Sequence, residues 1–137
     1  MKYSKATNYA LHSMVHLAME SNDEAVRVED LAKHQRISAT YLSKILTKLS
    51  KAGLIASTPG VKGGYRLFRS PDECTFLDII QAIEGKESPL NCMMSHDGKW
   101  NRDCLIERAV ADSEDRMKDE LAHKTIAGIL NQMQERN

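Results

Sequence analysis

No carboxylate side chain lies between Asp30 and Asp72, although the same stretch holds eight lysines and arginines. Over the whole chain the charges cancel, with Lys+Arg and Asp+Glu at 19 each. That total conceals a division: residues 1–70 carry 11 basic and 5 acidic side chains, net +6, and residues 71–137 carry 8 and 14, net −6. A polyanion responds to the local field, so the neutral total does not exclude one as a partner. Cysteine is scarce as well. Cys74, Cys92 and Cys104 are three in 137 residues, an odd number too small for a disulfide scaffold. In a reducing compartment such residues are buried, metal-bound or redox-active. No apolar run approaches the roughly 18 residues of a membrane span. Nor does Met1-Lys2-Tyr3-Ser4 lead into an apolar core or a small-residue cleavage site, which predicts a cytoplasmic protein without a membrane partner. Ser/His/Asp order, a P-loop and a paired-carboxylate constellation are missing too, so an enzyme is not expected. No internal repeat or low-complexity stretch is present.

What is there reads as one domain with a modest core, 42% of its residues being hydrophobic. Over residues 4–20, Ala10, Leu11, Met14, Val15 and Ala18 recur at helical spacing between Asn8, His12 and His16. Residues 21–24 break that helix. A short second helix with a weak cap follows over 28–34, with Val28, Leu31 and Ala32 inward. The third, over 37–49, is better determined: Ser38 is placed as N-cap, and Ile37 and Leu42 occupy the two positions of a hydrophobic staple. Leu42, Ile45, Leu46 and Leu49 then fall at i, i+3, i+4 and i+7. That spacing leaves Thr40, Tyr41, Ser43, Lys44, Thr47, Lys48 and Lys51 outward, a face of hydroxyls, one aromatic and lysines with no acid for i,i+4 pairing.

Behind this helix, the β-prone runs 54–58 and 65–69 flank Pro59-Gly60-Val61-Lys62-Gly63-Gly64, the pattern of a hairpin with a flexible basic tip. Its glycines would let backbone approach a partner closely, and Lys62, Arg66 and Arg69 would meet phosphate or enter a minor groove. An acid-free capped helix followed by a basic Gly-rich hairpin is how a winged helix-turn-helix meets DNA. The same helix used as a protein-interaction module would carry an acidic or mixed face, which residues 38–51 lack.

After Pro71, Thr75 caps a helix to about Glu84, with Leu77, Ile80 and Ile83 inward and Gly85 closing it. Residues 86–103 form a polar loop with Cys92, Met93, Met94, His96 and Trp100. Asp103 is placed as N-cap of a long helix with an apolar stripe of Leu105, Ile106, Ala109, Val110, Met117 and Leu121. Nothing downstream is large enough to cover that stripe, which predicts pairing with a second subunit. Residues 125–133 form a terminal helix that packs back. The expected organisation is a DNA-binding unit at 1–70, a linking helix and sensor loop at 71–103, and dimerisation and terminal helices at 104–137. The fold class is mainly α with a small β-hairpin wing.

Together these residues resemble the Rrf2 family of bacterial transcription regulators. The resemblance rests on Thr7-Asn8-Tyr9-Ala10-Leu11, on Ile37-Ser38 through Tyr41-Leu42 with Ile45-Leu46 and Leu49, and on Gly63-Gly64-Tyr65-Arg66-Leu67. It continues through Thr75-Phe76-Leu77-Asp78-Ile79-Ile80 and Ile83-Glu84-Gly85. It implies a homodimeric, sequence-specific regulator, a repressor, on a palindromic double-stranded operator, since a two-fold protein matches two-fold DNA. By carry-over, Ser38, Thr40, Tyr41, Ser43 and Lys44 would face the major groove with Lys48 beside them. Lys62, Gly63, Gly64, Tyr65 and Arg66 would meet the backbone or minor groove.

Cluster-binding members of the family carry three cysteines in the loop before the long helix and take a further ligand from elsewhere. Here Cys92 and Cys104 match the outer two, and no thiol stands near Gly98. Glu107 stands where some relatives place a histidine, and Asn8 where another offers a carboxylate. Three readings stay open. Cys92 and Cys104 form a cluster-free redox or nitrosative sensor, with Cys104 at a helix N-terminus that favours thiolate. Alternatively Cys92, His96 and Cys104 hold a metal ion or an iron-sulfur cluster with Glu107 or the partner subunit, although two expected ligand positions are missing. Or the cysteines are inert and a small molecule or protein is the effector. Cys74 belongs at an apolar packing position, and His12, His16, His34 and His123 show no ligand pairing in the sequence.

Overall fold

A computed structural model describes residues 3–20, 24–86 and 105–136. Helix α1 (Lys5–Met19) starts where Ser4 Oγ accepts a hydrogen bond from the Thr7 amide at 3.2 Å. Its buried face is Thr7, Ala10, Ser13, Met14 and Leu17. Leu11, Val15 and Ala18, expected inward, are half-buried at the margin of that face. Hydrophobic spacing missed Thr7 and Ser13 because each has its polar atom satisfied by a distant residue. Thr7 Oγ1 donates to Glu84 Oε2 at 2.7 Å, and Ser13 Oγ accepts from Gln35 Nε2 at 2.8 Å.

Helix α2 (Val28–Gln35) has no side-chain N-cap bond and ends on Arg36. Helix α3 (Ala39–Lys51) begins at Ser38, whose Oγ accepts from the Tyr41 amide at 3.1 Å. Leu42, Ile45, Leu46 and Leu49 are all buried, as their spacing requires. They form one cluster with Ala10, Met14, Leu31, Leu54, Ile79 and Ile126. Burial of each of these large side chains contributes about 1.5–3 kcal/mol, so α3 is held by its apolar face and its other face is left to solvent.

Strands β1 (Ile55–Thr58) and β2 (Gly64–Leu67) pair antiparallel, from Ile55 with Leu67 to Thr58 with Gly64. They are shorter than the β-prone runs because Leu54 and Phe68 are joined by a single bond, Phe68 N to Leu54 O at 3.1 Å. A third segment lies along the hairpin: Val26 and Tyr65 exchange two backbone hydrogen bonds, each 2.8 Å.

Past a 3-10 turn (Pro71–Glu73), Thr75 Oγ1 accepts from Asp78 N at 3.1 Å and opens α4 (Phe76–Glu84). The inward face differs from the expected Leu77, Ile80 and Ile83. Ile79 and Ile80 are the buried pair, while Leu77 and Ile83 are half-buried. The reason is that α4 packs on α1, α3 and α5 (Leu105–Ala122) together, which draws in adjacent positions. Cys74 is fully buried, as expected of a packing residue.

Helices α5 (Leu105–Ala122) and α6 (Ile126–Arg136) complete the described chain. α6 returns to the core through Ile126, whose amide donates to Cys74 O at 3.0 Å. α5 departs from its apolar pattern: its buried residue is Glu114, while Leu105 and Ile106 are 73% and 71% exposed. The expected Asp103 cap and the loop with Cys92, His96, Trp100 and Cys104 lie outside the described residues.

Candidate nucleic-acid interface

The turn between α2 and α3 sets α3 across the head of the molecule with its hydrophobic stripe inward. Thr40, Tyr41, Lys44, Thr47, Lys48 and Lys51 are exposed on the opposite side, and Ser43 is half-buried. Tyr41 does not swing freely, because its ring packs edge-on against Tyr9 with centroids 5.9 Å apart at 89°. Ser38 is exposed with its lone pair engaged in the cap, which leaves its hydroxyl proton available to a partner. Thr47 Oγ1 is turned back onto Ser43 O at 2.8 Å. Among the described residues, none of Lys44, Lys48 and Lys51 is in a salt bridge, so the face stays cationic.

The wing presents Lys62 and Arg66 outward. Arg69, grouped with them by sequence, instead lies 3.9 Å from Asp78 and is partly neutralised. Tyr65 is half-buried against the core and gives its backbone to Val26. The two wing glycines also have an internal use. A Cβ on Gly64 would collide with the Val26 carbonyl, and one on Gly63 with the Thr58 and Gly60 carbonyls. Their close approach is to the protein's own backbone.

Sequence reasoning missed Glu84. Its Oε2 accepts from Ser4 N at 2.8 Å as well as from Thr7 Oγ1, so the carboxylate anchors the start of α1 from the end of α4. The backbone N–H of Ser4, then the Thr7 hydroxyl, hold its pKa below the usual carboxylate range. The motifs around Thr7 and around Glu84 are thus one contact. No local signal joins residues this far apart.

Two of the histidines pack between helices. His16 and His34 bring α1 and α2 together, ring centroids 4.8 Å apart at 73°. Burial first, and the His34 ring second, lower the pKa of His16, opposed by the carboxylates of Glu20 and Asp30. Among the described residues no group of three or more His, Cys, Asp or Glu is placed to hold a metal ion. The neutral His16 and ionised Glu84 have one consequence for acid stability. Both pKa values are depressed in the fold, so each contribution is complete above its unfolded value and is lost as the pH falls through the folded one. Thermal midpoints from pH 8 downward should decline first below about 6.5 and again below about 4.3. His16→Gln should remove the first decline and Glu84→Gln the second; unchanged profiles in both variants contradict these roles.

The helix pair, its exposed cationic face and the adjoining hairpin define a winged helix-turn-helix, the class of DNA-binding regulators. The Rrf2 family model, described as an iron-dependent transcriptional regulator, matches residues 3–132. Protein rrf2 of Nitratidesulfovibrio vulgaris is 35% identical over 92 residues, 67% of this chain and 61% of that protein, so the match spans under two thirds of that relative's length. The HTH-type transcriptional regulator IscR of Vibrio campbellii is 30% identical over 130 residues, covering 95% of this chain and 77% of the relative. The crystal structure of Staphylococcus aureus CymR in its oxidized form superposes with a TM-score of 0.73 at 26% identity, over 94% of this chain and 95% of that one. The chain belongs to the Rrf2 family and is a helix-turn-helix transcriptional regulator. Among the described residues no helix is long and apolar enough to cross a membrane.

Proposed function

We propose that the chain is a homodimeric repressor that reads a palindromic operator and releases it on a redox or nitrosative signal. Ser38, Thr40, Tyr41, Ser43, Lys44 and Lys48 enter the major groove. Lys62 and Arg66 lie along the phosphates or the minor groove, on a wing whose backbone at Gly63, Gly64 and Tyr65 is packed against the protein's own chain and sets where the two cations stand. The observation that carries this reading is the exposed face of α3, cationic and hydroxyl-bearing, with no acid from Leu31 to Pro71. A surface helix with no nucleic-acid partner would mix signs along such a face. Exposed Leu105 and Ile106 on α5 support a second subunit, because a protein in water covers adjacent large apolar side chains. Selection of duplexes from a randomised pool should return a symmetric site, and an asymmetric consensus contradicts the dimer on its operator.

For the signal, burial pushes the Cys74 thiol up and keeps it protonated, which leaves Cys92 and Cys104 as the reactive pair. The relative whose structure is of an oxidized form supports a redox signal. Cys92→Ser should abolish release of DNA by a peroxide or a nitric-oxide donor and leave basal binding intact; an intact response moves the sensor elsewhere. The iron in the family description favours a second reading, in which Cys92, His96 and Cys104 hold a metal ion or an iron-sulfur cluster. With Cys74 in the core, Cys92, His96 and Cys104 offer two thiols and one imidazole toward the four ligands such a cluster takes, so the fourth would have to come from Glu107 or the partner subunit. Absorption spectroscopy and metal analysis of anaerobically purified protein separate the two, a brown iron-containing protein deciding for the cluster.

A further inference from the structure

Among the described residues, Arg36 is the one residue other than glycine with a positive φ, at φ 60 and ψ 43. It ends α2, and the bond from Ile37 N to Ala32 O at 3.0 Å directs the chain toward Ser38 and α3. Glycine fits this left-handed position without a Cβ clash, and Asn is the usual second choice. The fold therefore asks only for a backbone conformation that arginine meets poorly. What arginine adds is its side chain. That side chain is exposed and, among the described residues, takes no hydrogen bond or ion pair, whereas Arg27 and Arg69 face Glu29 and Asp78. It also stands two residues before Ser38, at the end of α3 that carries Thr40 and Tyr41.

We infer that Arg36 is a phosphate clamp: its guanidinium grips the DNA backbone at the rim of the groove that receives α3. This rests on the DNA-binding reading above. In a helix-turn-helix the N-terminal residues of the recognition helix approach base edges, so the turn immediately before them passes the sugar-phosphate wall. A planar guanidinium matches two phosphate oxygens, and strain retained at a turn is a recognised mark of function. A phosphate contact fixes position without reading sequence.

The test combines a thermal melt of the full chain with anisotropy titration of a labelled mixed-sequence duplex over a salt series. Arg36→Gly should hold or raise the melting midpoint, because the left-handed position is relieved. It should nonetheless weaken binding and make the slope of log affinity against log salt shallower by about 0.9 for each bound protomer. Arg36→Lys, which keeps the charge, should retain most of the slope. A merely structural residue would move stability and affinity together. An Arg36→Gly protein with the wild-type slope overturns the clamp alone, while a wild-type protein with no salt slope overturns the DNA reading and the clamp with it.

Discussion

Gly64→Ala is expected to lower folding stability by about 3 kcal/mol by straining the bridge that fastens the wing to Val26. Gly64 has φ 150, and the added Cβ would meet the carbonyl carbon and oxygen of Val26 and the Arg27 nitrogen. None of these is the yielding end of a side chain. Val26 is held to Tyr65 by two backbone bonds of 2.8 Å, so relief of the clash means breaking both. Gly60→Ala is the control, with φ 99 but open space around the new methyl. Only the conformational penalty applies there, about 1 kcal/mol. Urea unfolding of the two variants with unchanged m-values should show Gly64→Ala far below Gly60→Ala. A Gly64→Ala protein as stable as the wild type would remove the account of the Val26 bridge.

Because the wing is fastened through Val26, the segment before α2, the hairpin and the helix-turn-helix are one mechanical unit. This gives Gly64 a purpose different from the one its sequence context suggests. The glycine run marks a hairpin and a close backbone approach, but the approached backbone is thirty-eight positions upstream of Gly64, at Val26. Local chemistry was legible elsewhere for the same reason that this was not. Ser38, Ile37 and Leu42 are neighbours, and so are Thr75 and Asp78, so their caps and staple can be read from spacing alone. Leu42, Ile45, Leu46 and Leu49 form a stripe whose period leaves a single inward face. α4 offers Leu77, Ile79, Ile80 and Ile83, and only its packing on α1, α3 and α5 selects Ile79. Glu84 on Ser4 and Thr7, and His16 on His34, are contacts between elements that composition does not encode. α5 shows the opposite limit: its apolar spacing is plain, yet Leu105 and Ile106 are exposed, because a stripe specifies a need for burial and not which surface meets it.

The DNA-reading face should lose affinity in a graded way. Lys44 lies exposed on α3 and Arg66 exposed on β2, so they sample the two arms of the head independently. Lys44→Ala removes one cation from the helix and Arg66→Ala one from the wing. Each should weaken binding by about tenfold or more, an effect in the range of about 1–3 kcal/mol. Neither side chain contributes to the core, so melting midpoints should stay near the wild type. The double variant should come close to the sum of the singles, since the side chains share no partner.

The most direct measurement is the affinity of wild type, Lys44→Ala and Arg66→Ala for a duplex selected from a randomised pool, titrated over a salt series. The predicted result is a wild-type affinity that falls linearly and steeply on logarithmic axes, with weaker binding and shallower lines, by about 0.9 per lost contact, for both variants. Binding that ignores salt and is unchanged in both variants would contradict the account.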